Sequence, residues 1–456
     1  MRRDPNAFKP NSAEALHDTV LQDALGRARD GFIGKRLKAV EALPEFDALR
    51  FKAASTRADA INRLPELLET YEAQVQARGG HVHWAADANE AVAMVLKLCR
   101  QAGGGRIAKG KSMVGEEVDL NPALEAALFE VLETDLGEYI IQLAKEPPSH
   151  IIAPAVHKTR EQVADLFEQF HADMPTRIED IPGLVAEARR KLRQGFLNAD
   201  IGITGANLLV AETGSSALVT NEGNGDLSAT LPRVHIVVTG IEKVVPDMAA
   251  ATDVLRVLAR SATGQSITSY TSFFTGPRRA DDLDGPEEYH VVLVDNGRSR
   301  IAAGPYRDML RCIRCGACIN HCPVYGAVGG HAYGTVYPGP MGSVLTPLLQ
   351  GLEKARDLPH ACTMCGRCAE VCPVQIPLPG LLRKLRFDQH RDGLERYRWA
   401  MWAWSWLARR PSAWRWALRM KSALLRLIAG RGGSLRVVPF GGDWFTARDQ
   451  WKGRTR

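Results

Sequence analysis

Eight of the nine cysteines in this chain lie between Cys312 and Cys372, in two copies of the pattern C-x2-C-x2-C-x3-C-P. Three cysteines at steps of three bring three sulfurs to one tight loop. The fourth cysteine of each copy stands just before a proline and points away from that loop. Such clustering indicates a metal-bound segment rather than a dispersed disulfide framework.

The spacing is that of bacterial two-cluster ferredoxins and predicts two [4Fe–4S] clusters. In that pattern the fourth cysteine ligates the cluster of the other run, so the two predicted ligand sets are crossed. Cluster 1 is assigned to Cys312, Cys315, Cys318 and Cys372, and cluster 2 to Cys362, Cys365, Cys368 and Cys322. Gly316 and Gly366 occupy the same place in each run, where the backbone can turn closely around a cluster.

A pair of zinc sites is the alternative, because thiolates also bind Zn²⁺ tetrahedrally. Zinc knuckles do not need the third close cysteine or the trailing proline, so the spacing favours iron–sulfur clusters. Disulfides are disfavoured because no secretory signal is recognisable, and we expect a cytoplasmic location, where disulfides are rare. Arg311, Arg314 and Arg367 beside the runs could offset cluster charge, but we expect them to be solvated surface charges.

The chain of 456 residues has room for two or three domains. We expect a helical segment at 1–76, an α/β domain at 77–300, a two-cluster ferredoxin-type domain at 301–390 and a Trp/Arg-rich tail at 391–456. A net charge of +6 is too modest to imply nucleic acid, and we expect no such partner.

Between residues 77 and 300, short β-rich runs alternate with helical ones, which predicts an α/β domain with a largely parallel sheet. The expected strands are 81–85, 106–113, 138–144, 150–154, 199–213, 216–223, 234–241 and 289–295. The expected helices are 87–99, 121–132, 159–170 and 246–262.

Three stretches, 109–124, 199–246 and 284–300, resemble the lactate-utilization (LUD) domain. Together with the cysteine runs, they make the chain from about residue 10 to 440 resemble the lactate utilization protein B family. That resemblance implies a fold like the ribose-phosphate isomerase/CoA-transferase group for 77–300, followed by an α-helical ferredoxin for 301–390.

The resemblance also implies a role as the iron–sulfur subunit of a bacterial three-protein system that oxidises L-lactate to pyruvate. Two companion subunits are implied, one with cysteine-rich motifs and one a second LUD protein. The resemblance does not settle which subunit oxidises lactate.

Polar residues on two loops that follow predicted strands suggest a ligand pocket, because ligands of parallel α/β sheets bind at the carboxyl ends of strands. A small hydroxy-acid could be held there by loop residues and attracted by a nearby lysine; the candidates are Glu212, Thr213, Asn221, Glu222, Lys109 and Lys111. The alternative is that the loop residues only shape turns. Residues 105–112 satisfy the P-loop pattern, but a helix-like segment precedes them instead of a buried strand, so we expect no nucleotide.

The tail combines tryptophan with positive charge. Eight of the nine tryptophans lie at or beyond Trp399, and ten Lys/Arg residues with no Asp or Glu lie between Arg396 and Arg436. Trp399, Trp402 and Trp406 share one side of a helix. We expect the tail to dock onto a partner, with packing over the ferredoxin domain or association with an anionic membrane surface as alternatives.

Three functions remain open. The leading hypothesis is an electron-transfer subunit of an L-lactate dehydrogenase complex, which passes electrons through two clusters to a membrane quinone or another carrier. A second is a self-contained enzyme whose LUD domain oxidises lactate. A third is a structural or redox-sensing iron–sulfur protein. The leading hypothesis allows a peripheral position at the inner face of the membrane.

Overall fold

The computed structural model describes residues 4–174, 176–395 and 398–429. The chain falls into two compact units, Met1–Gln389 and His390–Arg456, which are described separately below. Among the described residues, no helix combines the length and the apolarity needed to cross a bilayer.

Four α-helices precede the first strand in the described part of the chain. They are α1 (Phe8–His17), α2 (Thr19–Glu41), α3 (Phe46–Asn62) and α4 (Leu64–Ala77). The side chain of Asp18 begins α2 by accepting a hydrogen bond from the backbone N–H of Leu21, at 3.0 Å. The apolar face of α4, which includes Leu67, Tyr71 and Val75, packs into a core cluster with buried residues of the strands that follow.

Among the described residues up to residue 294 there are ten strands. They are β1 (His81–Ala85), β2 (Arg106–Lys109), β3 (Glu130–Glu133), β4 (Ile201–Thr204), β5 (Leu208–Val210), β6 (Ser215–Thr220), β7 (Val234–Gly240), β8 (Val244–Val245), β9 (Tyr270–Phe274) and β10 (Glu288–Val294). The helices among them are α5 (Ala88–Ala102), α6 (Met113–Glu117), α7 (Leu120–Ala126), α8 (Leu136–Ala144), α9 (Arg160–Phe170), α10 (Ile181–Leu197), α11 (Asn224–Thr230) and α12 (Met248–Ala262).

The main sheet has six strands in the order β1-β10-β7-β4-β2-β3, and every neighbouring pair is parallel. Its central strand β7 is buried along its whole length, as expected when helices cover both faces of a parallel sheet. The predicted α/β domain with a parallel sheet is thereby confirmed.

Four further strands form a second, smaller sheet in the order β8-β5-β6-β9. The single strand expected at 199–213 is divided between the two sheets, because β4 belongs to the first and β5 to the second. Strands β5 and β6 form an antiparallel hairpin in which Leu208 pairs with Ala217 and Val210 with Ser215. The turn between β5 and β6 therefore lies at one end of this hairpin, and the residues that follow β6 lie at the other end.

Three of the expected elements are wrong. Residues 138–144 belong to helix α8, because Asp135 accepts hydrogen bonds from the backbone N–H groups of Gly137 and Glu138 and so begins a helix. Residues 130–132, expected at the end of a helix, belong to β3, since α7 ends at Ala126. Residues 150–154 form no strand. A short buried apolar run is compatible with a helix as well as with a strand, which explains the error at 138–144.

Short helices dominate the region that carries the cysteine runs. They are α13 (Arg298–Ala303), α14 (Ala317–Asn320), α15 (Pro323–Val328), α16 (Gly339–Gln350), α17 (Arg367–Glu370) and α18 (Leu378–Arg391). Helices α14 and α17 each begin after a glycine at the same place in its run, Gly316 or Gly366, with φ of 72° and 84°. The predicted helical ferredoxin-type region is present.

The described part of the second unit contains two helices, α19 (Arg398–Ala408) and α20 (Pro411–Ala429). The tryptophans of these two helices are largely exposed; Trp399 and Trp402 are 73% and 69% accessible. Arg410 lies over the ring of Trp406, at 4.0 Å from its centroid. The part of the predicted tail beyond residue 429 lies outside the described residues.

Candidate iron–sulfur centre and an adjoining cavity

Four thiols meet around one small cavity. Cys312, Cys315 and Cys318 of the first run line this cavity together with Cys372 of the second run. The rest of the wall is mainly apolar and includes Ile151, Ile313, Met341, Val374, Ile376 and Leu378. Burial, followed by the proximity of Cys372, raises the pKa of the Cys315 thiol.

The remaining thiols form a second group. Burial raises the pKa of Cys368 to about 12, and the next causes are the nearby side chains of Cys362, Cys322 and Cys365. Cys322, from the first run, therefore lies among the first three cysteines of the second run. Cys365 is exposed and Cys362 is half-buried. The fourth cysteine of each run thus meets the other run, although the assignment of individual sulfurs as ligands stays a prediction.

The two cysteine loops follow the same backbone path. Arg314 and Met364 occupy equivalent positions, and each has a φ of 59°, in the left-handed region. Gly316 and Gly366, two residues further on, also have positive φ. The repeated spacing therefore produces a repeated loop conformation, even where the residue at the strained position differs.

Backbone N–H groups are directed at several of the sulfurs. Met364 donates to Cys362 Sγ at 3.3 Å, and Ile376 donates to Cys372 Sγ at 3.4 Å. Hydrogen bonds to sulfur are among the features that set the reduction potential of an iron–sulfur cluster. Arg50 of α3 also donates to the carbonyl oxygen of Cys372 at 2.9 Å, so the N-terminal helices help to hold this loop.

A buried ion network connects the first loop to the α/β domain. Glu242, at the end of β7, is fully buried and lies 2.7 Å from Arg298 and 3.2 Å from Arg314. Arg298 is paired in turn with Glu117 at 2.6 Å. Although burial opposes ionisation, Arg298 and Arg314 lower the pKa of Glu242 to about 2.

The expectation that the arginines beside the runs are solvated is wrong for Arg314. Its side chain is only 8% exposed and its guanidinium lies over the ring of Tyr337, at 5.0 Å from the centroid. Arg367, in contrast, is 48% exposed and pairs with Glu370. The difference arises because the first loop packs against the sheet, where Glu242 provides a buried counter-charge.

A larger cavity of about 240 Å³ opens at the carboxyl ends of β2, β4 and β7. Lys111, Asn221 and Glu222 line it, as the sequence suggested for a ligand pocket. Lys111 donates to the carbonyl oxygen of Ile152 at 2.9 Å. Burial, followed by the nearby Asp135, raises the pKa of Glu222.

The other three predicted pocket residues lie elsewhere. Lys109 does not line this cavity; it is buried and paired with Glu133 at 2.6 Å and Glu116 at 3.5 Å. Glu212 and Thr213 lie in the turn between β5 and β6. Because that hairpin is antiparallel, its turn is at the end opposite to Asn221 and Glu222.

Comparison with known proteins agrees with this architecture. Residues 68–294 match the LUD domain family, and residues 308–376 match the 4Fe-4S dicluster domain family. Lactate utilization protein B of Lysinibacillus sphaericus is 45% identical over 387 residues, which cover 85% of this chain and 81% of the relative. The Bacillus subtilis protein of the same name is 44% identical over 391 residues, covering 85% and 80%.

The chain belongs to the lactate utilization protein B family. A further relative is the uncharacterized electron transport protein YkgF of Escherichia coli, which is 43% identical over 388 residues, covering 85% of this chain and 81% of that protein. The predicted LUD domain and 4Fe–4S domain are confirmed as parts of this family member.

The dicluster domain indicates two [4Fe–4S] clusters in this lactate utilization protein B homologue, and the thiol groups fit them. Each group offers four sulfurs from two segments, and cysteine thiolates are the ligands of such clusters. A mainly apolar wall surrounds the first group, which would limit access of water. The predicted cofactors are therefore confirmed.

Several cavity residues of this family member were not recognised from the sequence. Ser112, Asn207, Thr239, Lys243 and Arg314 also line the cavity. Thr239 and Lys243 could have been found, since they stand at and just after the end of a strongly apolar strand, where side chains meet ligands in parallel sheets. Arg314 could not, because its position depends on how the cysteine loop packs.

Proposed function

We propose that this chain is the iron–sulfur electron-transfer subunit of a multi-protein system that oxidises L-lactate to pyruvate. The observation that carries the proposal is the pair of thiol groups, each built from both cysteine runs, in a chain whose relatives include proteins called lactate utilization protein B. Bound clusters supply reversible single-electron transfer.

The residues around the two groups support a relay. The crossed segments tie the two groups to each other, so the distance between them is held by short stretches of chain such as 318–322 and 368–372. The first group is enclosed by apolar side chains, whereas Cys365 of the second group is exposed. We therefore assign the second group to exchange with an external carrier.

The companions in this proposal are two other proteins, one rich in cysteine motifs and one a second LUD protein. The final acceptor is a membrane quinone or another carrier, which would be met at the inner face of the membrane. All eight cysteines assigned to the two clusters belong to this chain.

Anaerobic reduction by L-lactate tests the proposal. The purified protein should keep its clusters oxidised when mixed with L-lactate alone and should be reduced when its co-purified companions are added, as followed by loss of visible absorbance. Reduction by lactate without companions would instead favour a self-contained enzyme. Clusters that are never reduced under either condition would favour a structural or redox-sensing role.

A further inference from the structure

The cavity of about 240 Å³ and the thiol-lined cavity share part of their walls. Arg314 and Ile151 line both cavities. A molecule in the larger cavity would therefore be separated from the Cys312 group by these side chains. The volume of the larger cavity is below the range of about 300–1,000 Å³ that is typical of pockets for drug-sized ligands, so the cavity suits a small metabolite.

Positive charge converges on this cavity from three different segments. Lys111 follows β2, Lys243 follows β7, and Arg314 comes from the first cysteine loop. Within the part of the chain that the structure describes, Lys243 makes no hydrogen bond or ion pair, although it is only 5% exposed. A buried ammonium group that makes no direct contact with a counter-ion is costly, and an anion in the cavity would relieve that cost.

The carboxylates in the wall limit the charge of the anion. Asp135 and Glu222 line the cavity and Arg314 is paired with Glu242, so the three cations leave no large excess of positive charge. The carboxylate of Asp135 is held at the start of α8 by two backbone N–H groups. This balance suits a monoanion better than a sugar phosphate or a nucleotide with several negative charges.

An uncharged polar group is also available. Thr239, at the end of β7, lines the cavity and is 1% exposed, and its Oγ1 has no hydrogen-bond partner among the described residues. Buried hydroxyl groups are normally hydrogen-bonded, so an unpartnered one in a cavity wall indicates a missing partner. A ligand that carries an oxygen besides its carboxylate would provide it.

We propose that this cavity binds a small 2-hydroxy- or 2-oxo-carboxylate, with Lys111, Lys243 and Arg314 attracting the carboxylate and Thr239 bonding to the second oxygen. The choice of this ligand class rests on the proposed function, whereas the site rests on the charges and unpartnered groups in the wall. The LUD domain is thereby assigned a substrate or product site beside the Cys312 group.

Calorimetric titration of the anaerobically reconstituted holoprotein tests the site. L-Lactate or pyruvate should bind, and acetate, which lacks the second oxygen, should bind about tenfold more weakly. Lys243→Met should weaken lactate binding by about tenfold or more, whereas Lys158→Met, which removes a cation outside this cavity, should not. Iron content and the visible spectrum should be unchanged in both variants.

Thr239→Val keeps the shape of the side chain but removes its hydroxyl, so it should abolish the preference for lactate over acetate. This variant tests the site if Lys243→Met fails to fold. The site is rejected if neither acid binds to the wild-type holoprotein, if inorganic phosphate binds better than either acid, or if a folded Lys243→Met or Thr239→Val protein binds lactate as the wild type does. Binding without lactate-dependent reduction in the assembled system would keep the site and reject the proposed function. Lactate-dependent reduction in the assembled system without lactate binding to this chain would keep the proposed function and reject the site.

Discussion

The two cysteine loops share one spacing and one backbone path, but their surroundings differ. At equivalent positions the first loop has Arg314 and the second has Met364, both with a φ of 59°. Arg314 is buried against Glu242, while in the second run Arg367 and Glu370, whose side chains are more exposed, form a salt bridge. The motif therefore determines the path of the loop, and the packing of the rest of the chain determines its electrostatic setting.

Replacing the fourth cysteines should have the largest effect. We expect Cys372→Ser to damage the cluster held by Cys312, Cys315 and Cys318, since Cys372 lines their cavity. Iron analysis combined with EPR should show loss of about half of the iron and of one signal.

Cys322→Ser is the matched variant and should remove the other signal. If Cys372→Ser removes the cluster at Cys362, Cys365 and Cys368 instead, the crossed assignment is incorrect.

Neutralising the buried counter-charge should have the next largest effect. Glu242→Gln leaves the buried Arg314 without its carboxylate partner and Arg298 with Glu117 alone, and breaking a buried ion pair typically costs about 3–5 kcal/mol. Glu370→Gln removes the exposed pair of the second loop and should cost about 0–1 kcal/mol. The urea midpoints of unfolding of the two variants, measured anaerobically at equal iron content, compare these two costs. Equal midpoints would show that the buried ion pair of the first loop contributes no more to stability than the exposed pair of the second.

Exchanging the residue at the strained position should have a smaller, electrostatic effect. Arg314→Met gives the first loop the residue that the second loop already accommodates at the same φ. Loss of a nearby positive charge disfavours the added electron, so the potential of cluster 1 should fall by on the order of 60 mV, a tenfold change for one electron.

Potentiometric titration followed by EPR measures this shift, with Arg367→Met as the control at an exposed arginine. A larger shift in the control than in Arg314→Met would contradict the proposed difference between the loops.

Removing the second unit should change the clusters least. Truncation after Gly393 deletes α19 and α20, whose exposed tryptophans and arginines suit a partner surface. We expect intact clusters and loss of association with the companion proteins, measured by co-purification. Loss of liposome binding alone would point to a membrane surface, and loss of clusters with aggregation would point to intramolecular packing.

The sequence was most informative where the chemistry is local. The spacing within each run predicts the loop, and the alternation of apolar runs predicts the parallel sheet, because both depend on residues close together in the chain. The main errors depend on distant residues. The partner of Arg314 is Glu242, 72 residues away, so the burial of this arginine could not be inferred from the loop.

The candidate pocket shows the same limit. Asn221 and Glu222 were predicted because they follow a strand, and Lys111 because its charge could attract a carboxylate; all three line the cavity. Glu212 and Thr213 also follow a strand, but that strand pairs antiparallel with the next one, so they lie at the wrong end. Strand pairing, rather than strand position in the sequence, decides which loops meet.

The most direct test of the central claim is an anaerobic redox titration of the reconstituted wild-type protein, with iron and acid-labile sulfide measured on the same sample. The account predicts about eight irons per chain and two one-electron transitions with distinct EPR signals. About four irons, a single transition or stoichiometric zinc in place of iron would contradict it.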